Sequence, residues 1–331
     1  MTAQDGVFEL GDWPLHRGGT LPGARIVWKS HGTLNAARDN VVLYPTSYGA
    51  QHPDLEWLIG PDGILDPTRW FIVIPNMFGN GLSTSPSNNP GWPALVTAWD
   101  NVRAQRRLLA EVFGVERLHA VYGWSMGAQQ AYHWAAAFPE AVARIVVNCG
   151  SARTAVHNQV FLRSQMAVLE AAPEYDGRGG FSAQPAAALR AFGRVYAGWA
   201  LSQDFYRANL HLTALGAPDL ETFLRTDWEE RFARRAAADL LAQLRTWDAG
   251  DIADGGDLPA ALAAIQARVL LLPSATDLYF RVADNEAELP HLRHGRLSVI
   301  PSIWGHRAGN PGPSPADAAF IKAEVRALLD S

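Results

Sequence analysis

Leu118-His119-Ala120-Val121-Tyr122-Gly123-Trp124-Ser125-Met126-Gly127-Ala128-Gln129-Gln130 passes from an apolar, β-prone run into an alanine-rich, helix-prone one. At the junction lies a G-x-S-x-G pentapeptide, Gly123 to Gly127. A serine on a sharp strand-to-helix turn has a strained backbone and an exposed hydroxyl, which is how a nucleophile is presented. The glycines have a steric reason: strand and helix pass so close that a Cβ at either flanking position would clash. The bare pentapeptide is common by chance, and its weight comes from the strand before it and the helix after it.

Working outward, short β-prone runs recur between helix-prone stretches. They are Arg25-Ile26-Val27-Trp28, Val41-Val42-Leu43-Tyr44, Trp70-Phe71-Ile72-Val73-Ile74, the run before Ser125, Arg144-Ile145-Val146-Val147, Val269-Leu270-Leu271-Leu272 and Leu297-Ser298-Val299-Ile300. Fully apolar strands alternating with helices predict an α/β fold, a mostly parallel sheet with helices on both faces. Helices are expected at roughly 98–113, 129–137 and 315–329. Residues 155–264 lack strand signals and are rich in alanine, leucine, arginine and aromatic residues. They read as a helical cap inserted into a core made of residues 1–154 and 265–331.

The chain of 331 residues is 48% hydrophobic and 18% charged, enough apolar material for a sizeable core. A net charge of −5 without any Lys/Arg run argues against a nucleic-acid partner. The single cysteine, Cys149, excludes an intrachain disulfide and reads as a small core residue. No apolar stretch approaches the roughly 18–20 residues of a membrane span, and residues 1–6 lack a basic and apolar leader pattern, so no membrane partner and a cytoplasmic location are the expectation. There is no P-loop, no dinucleotide fingerprint and no metal-ligand spacing among histidines and cysteine, so neither cofactor nor metal is expected.

A serine hydroxyl near neutral pH needs a histidine base, and the base needs an acid that fixes its tautomer. On a strand–turn–helix nucleophile the order along the chain is serine, acid, histidine, each on a loop after a strand. Asp277 lies just beyond Leu270-Leu271-Leu272-Pro273, and His306 lies just beyond Val299-Ile300-Pro301. Of the ten histidines only His306 follows the last strand. Ser125, Asp277 and His306 are therefore the expected catalytic residues. Acyl transfer also needs N–H donors for an oxyanion. One is expected from Met126, the residue after the nucleophile. The second is expected from the Tyr44-Pro45-Thr46-Ser47-Tyr48-Gly49 loop, at Ser47 with Thr46 as the alternative.

These residues resemble the homoserine O-acetyltransferase group of the α/β-hydrolase superfamily. The likeness runs through Gly32-Thr33-Leu34-Asn35, Asp39-Asn40-Val41-Val42-Leu43, Pro75-Asn76-Met77-Phe78-Gly79, Gly81-Leu82-Ser83-Thr84-Ser85-Pro86 and Asp100-Asn101-Val102-Arg103-Ala104-Gln105. It continues through Gly123 to Ala131, Ser151-Ala152-Arg153 and Thr246-Trp247-Asp248-Ala249-Gly250-Asp251. The resemblance implies the α/β-hydrolase fold, an acyl-serine intermediate, a helical cap over a buried pocket and, by analogy, a homodimer.

Three departures bear on substrate. In the acetyltransferases the catalytic histidine is followed by an aspartate that helps hold homoserine's amino group. Arg307 stands there in this chain, and a cation repels an ammonium. The cap arginine that takes the carboxylate aligns with Gln203, and Trp124 replaces a glycine. With Thr46 and Tyr48, these three residues are the expected substrate pocket. The reading is a serine hydrolase that cleaves small-molecule carboxylic esters with short acyl groups. The alternative is a homoserine O-acetyltransferase or related O-acyltransferase using acyl-CoA, and a non-enzymatic binding module is the third.

Overall fold

The computed structural model describes residues 3–331. Its eight-stranded sheet has the order β1-β2-β4-β3-β5-β6-β7-β8. β1 (Ala3–Pro14) and β2 (Thr20–His31) form an antiparallel hairpin that pairs antiparallel with β4 (Phe71–Pro75). From β4 onward the ladder is parallel, through β3 (Val41–Leu43), β5 (Ala120–Trp124), β6 (Arg144–Asn148), β7 (Arg268–Leu272) and β8 (Gly295–Leu297).

The central strands are apolar on both faces because both faces are covered. Side chains alternate along a strand, so neighbouring residues serve opposite sides. Val41, Leu43, Val73, Val121, Ile145, Val147 and Leu271 share one core with residues of α1 (Ala98–Phe113) and α2 (Met126–Ala137). Val42, Ile72, Ile74, Tyr122, Val146, Leu270 and Leu272 pack into the other. That second core also takes in helices between β6 and β7 and, further on, Ile321 and Val325.

Between β6 and β7 the chain is helical. It passes through α3 (Val156–Glu170), α4 (Ala186–Ala200), α5 (Gln203–Arg207), α6 (Leu210–Thr213) and α7 (Leu220–Phe223). A π-helical turn, Leu224–Glu229, then leads to α8 (Glu230–Ala233), α9 (Ala237–Asp248) and α10 (Leu258–Ala264). α11 (Val282–Glu288) follows β7 and α12 (Pro315–Leu329) closes the chain. Among the described residues no helix is long and apolar enough to cross a membrane.

The structure departs from the sequence reading at three elements. β1 has no counterpart among the expected strands, because it holds no continuous apolar run and stays largely exposed, Val7 included. The last strand runs Gly295–Leu297 instead of Leu297–Ile300. Bonds to β7 persist past it, from Ser298 N–H to Leu271 O and from Ile300 N–H to Pro273 O. The ladder loses its regularity there because Pro273 has no N–H to return. α2 begins at Met126, directly after the serine, rather than at Gln129.

Where α2 meets α11, a carboxyl is buried: Glu288 accepts from Tyr132 Oη at 2.8 Å, Ala152 N at 2.7 Å and Asn285 Nδ2 at 3.0 Å. Desolvation nevertheless raises its pKa from 4.5 to about 7. The folded state thus keeps a proton that the unfolded chain releases, so this site's stability is full below pH 4.5 and is lost as pH rises through about 7. In urea titrations, the stability of Glu288→Gln relative to the native chain is expected to rise by about 3 kcal/mol between those limits and level off above them. A gap that stays flat with pH would remove the raised pKa from the account.

Candidate active site

Ser125 stands between the end of β5 and the first turn of α2 with φ 58° and ψ −125°. A non-glycine residue in that region is strained, and here the packing around it leaves no alternative. A Cβ on Gly123 would lie 2.2 Å from Gly127 O, and one on Gly127 would lie 2.8 Å from Pro45 O. The second contact matters most, because it lets the Pro45–Ser47 loop come up against the start of α2. Among the described residues no acceptor takes the N–H of Met126 or of Ser47, so two free donors flank the serine. Met126 N–H also carries the positive end of α2.

His306 Nε2 lies 2.9 Å from Ser125 Oγ, and its Nδ1 lies 2.7 Å from Asp277 Oδ2. The carboxylate is itself held, since Asp277 Oδ1 accepts from Tyr279 N at 2.7 Å and Phe280 N at 3.2 Å. The loops after β7 and β8 are tied together below it. Gly305 N donates to Thr276 Oγ1 at 3.0 Å, and Thr276 Oγ1 donates to Ser302 O at 2.9 Å. All three side chains are buried. An acidic oxygen at Nδ1 makes that nitrogen the donor and leaves Nε2 as the acceptor facing the serine hydroxyl.

A cavity of about 140 Å³ opens above Ser125, between the Ser47–Leu55 segment and the helices that precede β7. Its size is that of a cavity able to hold a benzene-sized molecule, about 150 Å³. Ser47, Tyr48, Trp124 and Arg307 line it with Ser125 and His306. The Trp124 indole stacks on the His306 ring, centroids 5.4 Å apart at 24°, and Tyr48 stacks on Tyr196 at 5.8 Å and 7°. Arg307 is pushed down to about 10, first by desolvation and then by Arg231, against the opposing pull of Asp227.

Two expected pocket residues lie elsewhere. Thr46 is buried beneath the loop, where its Oγ1 accepts from Met77 N at 2.9 Å and its carbonyl accepts from Gln130 Nε2 at 2.9 Å. Gln203 opens α5 on the solvent side, because Ser202 caps that helix through Phe205 N and Phe205 is the face turned inward. Sequence reasoning missed Tyr196, Trp228, Arg231 and Phe232, all lining residues. They come from α4 and the π-turn–α8 segment, and no motif marks them. Among the described residues one trio, Cys149, Asp277 and His306, has ligand atoms within 4.8 Å of one another. Asp277 and His306 are committed to the bonds above, and burial pushes the Cys149 thiol up rather than toward a thiolate.

Residues 55–254 match the family described as alpha/beta hydrolase fold. The chain belongs to the α/β-hydrolase family. It is 34% identical over 314 residues to an ethyl acetate hydrolase of Pseudomonas veronii, covering 91% of this chain and 89% of that one. It is 30% identical over 340 residues to a homoserine O-acetyltransferase of Thermobifida fusca, with 88% and 86% covered. The solved structure of an acetylester hydrolase from Corynebacterium glutamicum superposes with a TM-score of 0.94 at 32% identity, covering 99% of this chain and 96% of that one. The α/β-hydrolase fold expected from the sequence is therefore the fold observed.

The close approach at Gly127 can be tested alone. Gly127→Ala must push the Pro45–Ser47 loop off α2, at a cost of about 1–3 kcal/mol. Chemical denaturation should show that loss together with slower labelling of Ser125 by a fluorophosphonate. Native stability and native labelling would mean the contact constrains nothing.

Proposed function

We propose that this α/β-hydrolase cleaves carboxylic esters with short acyl groups through an acyl-serine intermediate. The observation that carries the reading is the unbroken run of hydrogen bonds from Asp277 through His306 to Ser125. Ser125 Oγ attacks the ester carbonyl carbon while His306 Nε2 takes its proton. The tetrahedral oxyanion is held by the N–H groups of Met126 and Ser47. The bond from carbon to the alcohol oxygen breaks as His306 returns its proton to the leaving alcohol. Water then attacks the acyl-serine, gives a proton to His306, and the acid departs as Ser125 recovers its hydrogen. Asp277 stays ionised throughout and holds the imidazole in register.

Two features support a short acyl group. The cavity beside Ser125 is small, and Trp124 fills space next to the serine itself. An ethyl acetate hydrolase and an acetylester hydrolase stand among the relatives. We take residues 155–264 as the cap that roofs this cavity, since Tyr196, Trp228 and Phe232 all belong to it. Hydrolysis is favoured over transfer to homoserine because Arg307 follows His306 at the position where the resembled transferases carry an aspartate for that substrate's ammonium.

Ser125→Ala and His306→Ala should each lower kcat on p-nitrophenyl acetate by at least about 10³-fold, and Asp277→Asn by about 10⁴-fold. Along an acetate, butyrate, octanoate series kcat/KM should fall. Ester cleavage retained by Ser125→Ala would overturn the assignment of the nucleophile. With acetyl-CoA and homoserine supplied together, release of acetate should exceed O-acetylhomoserine, and the opposite result would make the protein an acyltransferase.

A further inference from the structure

The cavity above Ser125 carries more positive charge than a neutral ester needs. Arg231, Arg234, Arg235 and Arg307 line it, with Asp54 as the one lining carboxylate. Arg235 uses that carboxylate, Nη2 to Oδ2 at 2.6 Å, and gives its Nε to Gly49 O at 2.8 Å. Arg307 has no such arrangement. It makes no ion pair among the described residues, and its Nη1 is shut off from solvent without a hydrogen-bond partner. Arg231 gives its Nε to the backbone of Asp227 at 3.2 Å and leans over the Trp228 ring at 5.9 Å, again with no ion pair. Asp227 is the carboxylate felt by both arginines, and it bridges to neither.

An unpaired guanidinium inside a cavity is costly, and burial already pulls Arg307 below its ordinary value. Such a charge is kept where a ligand completes it. A guanidinium fork matches a carboxylate with two parallel hydrogen bonds. A neutral acetate ester would leave Arg307 and Arg231 unanswered, and an ammonium-bearing one would add a further cation.

We propose that this pocket selects esters that carry a carboxylate, received by Arg307 with Arg231 as the second cation. The inference rests on the reading of Ser125 as an ester-cleaving nucleophile and adds the charge of the substrate.

Two isomers test it: 3-acetoxypropanoate, with the carboxylate on the alcohol, and monomethyl succinate, with it on the acyl group. Each is compared with its primary amide. At least one acid should exceed its amide in kcat/KM by about 10- to 100-fold. That ratio should collapse in Arg307→Gln and fall in Arg231→Gln. Whichever isomer wins assigns the charge to the alcohol or the acyl half. If p-nitrophenyl acetate is cleaved through Ser125 while neither acid is preferred, the charge selection is overturned and the esterase reading stands. If no ester is cleaved, calorimetric titration of the Ser125→Ala protein with the same acids still decides. Binding that disappears in the Ser125→Ala/Arg307→Gln double variant supports the anion site, and absence of binding overturns it.

Discussion

The backbone at Ser125 is the constraint on which the rest depends. A φ of 58° holds the serine at the point where β5 ends and α2 begins, and that conformation survives only while its surroundings leave no alternative. Gly123 and Gly127 supply those surroundings by letting strand, helix and the Pro45–Ser47 loop come together at backbone contact. The same approach puts Ser47 on the wall of the cavity that Ser125 opens into. The strained serine and the close approach of the loop to α2 therefore share one cause: the absence of two Cβ atoms.

A second dependence runs through the sheet. Parallel strands send their following loops to the same edge, so loops after β3, β5, β7 and β8 converge although their residues lie far apart in the chain. Thr276 Oγ1 joins the β7 and β8 loops, accepting from Gly305 and donating to Ser302. Ser302 in turn donates to Asp317 at 2.7 Å, which ties the histidine loop to α12. The imidazole is thereby aimed by hydrogen bonds on both sides and by the Trp124 indole against its face. Charge in the cavity comes from two elements, since Arg307 rides on the histidine loop itself while Arg231 arrives from α8. On the proposed reading, the histidine loop carries both the base and one of the cations, and α8 supplies the other.

The sheet strands were legible wherever burial on both faces made them apolar, as in Phe71–Pro75 and Arg268–Leu272. β1 was not, because an exposed hairpin strand has no such pattern. That Ser125, Asp277 and His306 meet was legible from chain order, since loops after parallel strands come to one edge whatever their lengths. Sequence put Ser47 ahead of Thr46 for the oxyanion loop but gave only Thr46 to the substrate pocket, and it carried no signal for which way either one faces. Adjacent residues in a tight loop point opposite ways, and only the fold shows Thr46 turned down to Met77 and Ser47 turned to the cavity. Gln203 failed for a similar reason, because an alignment through a helical insertion does not tell which face of α5 meets the core.

What this sequence determined alone is local and topological: a strained serine between strand and helix, an aspartate and a histidine on loops that a parallel sheet brings to it, and a long helical stretch before the strand that leads to Asp277. Those follow from steric limits and from burial, which are written in residue type and spacing. What the tertiary structure decided is the pocket. Tyr196, Trp228, Arg231 and Phe232 line the cavity above Ser125 only because helices distant in sequence fold back to it. Arg307 is left without a partner because no carboxylate there comes within reach. No periodicity encodes such distances, since they depend on how whole elements pack rather than on what any one segment contains.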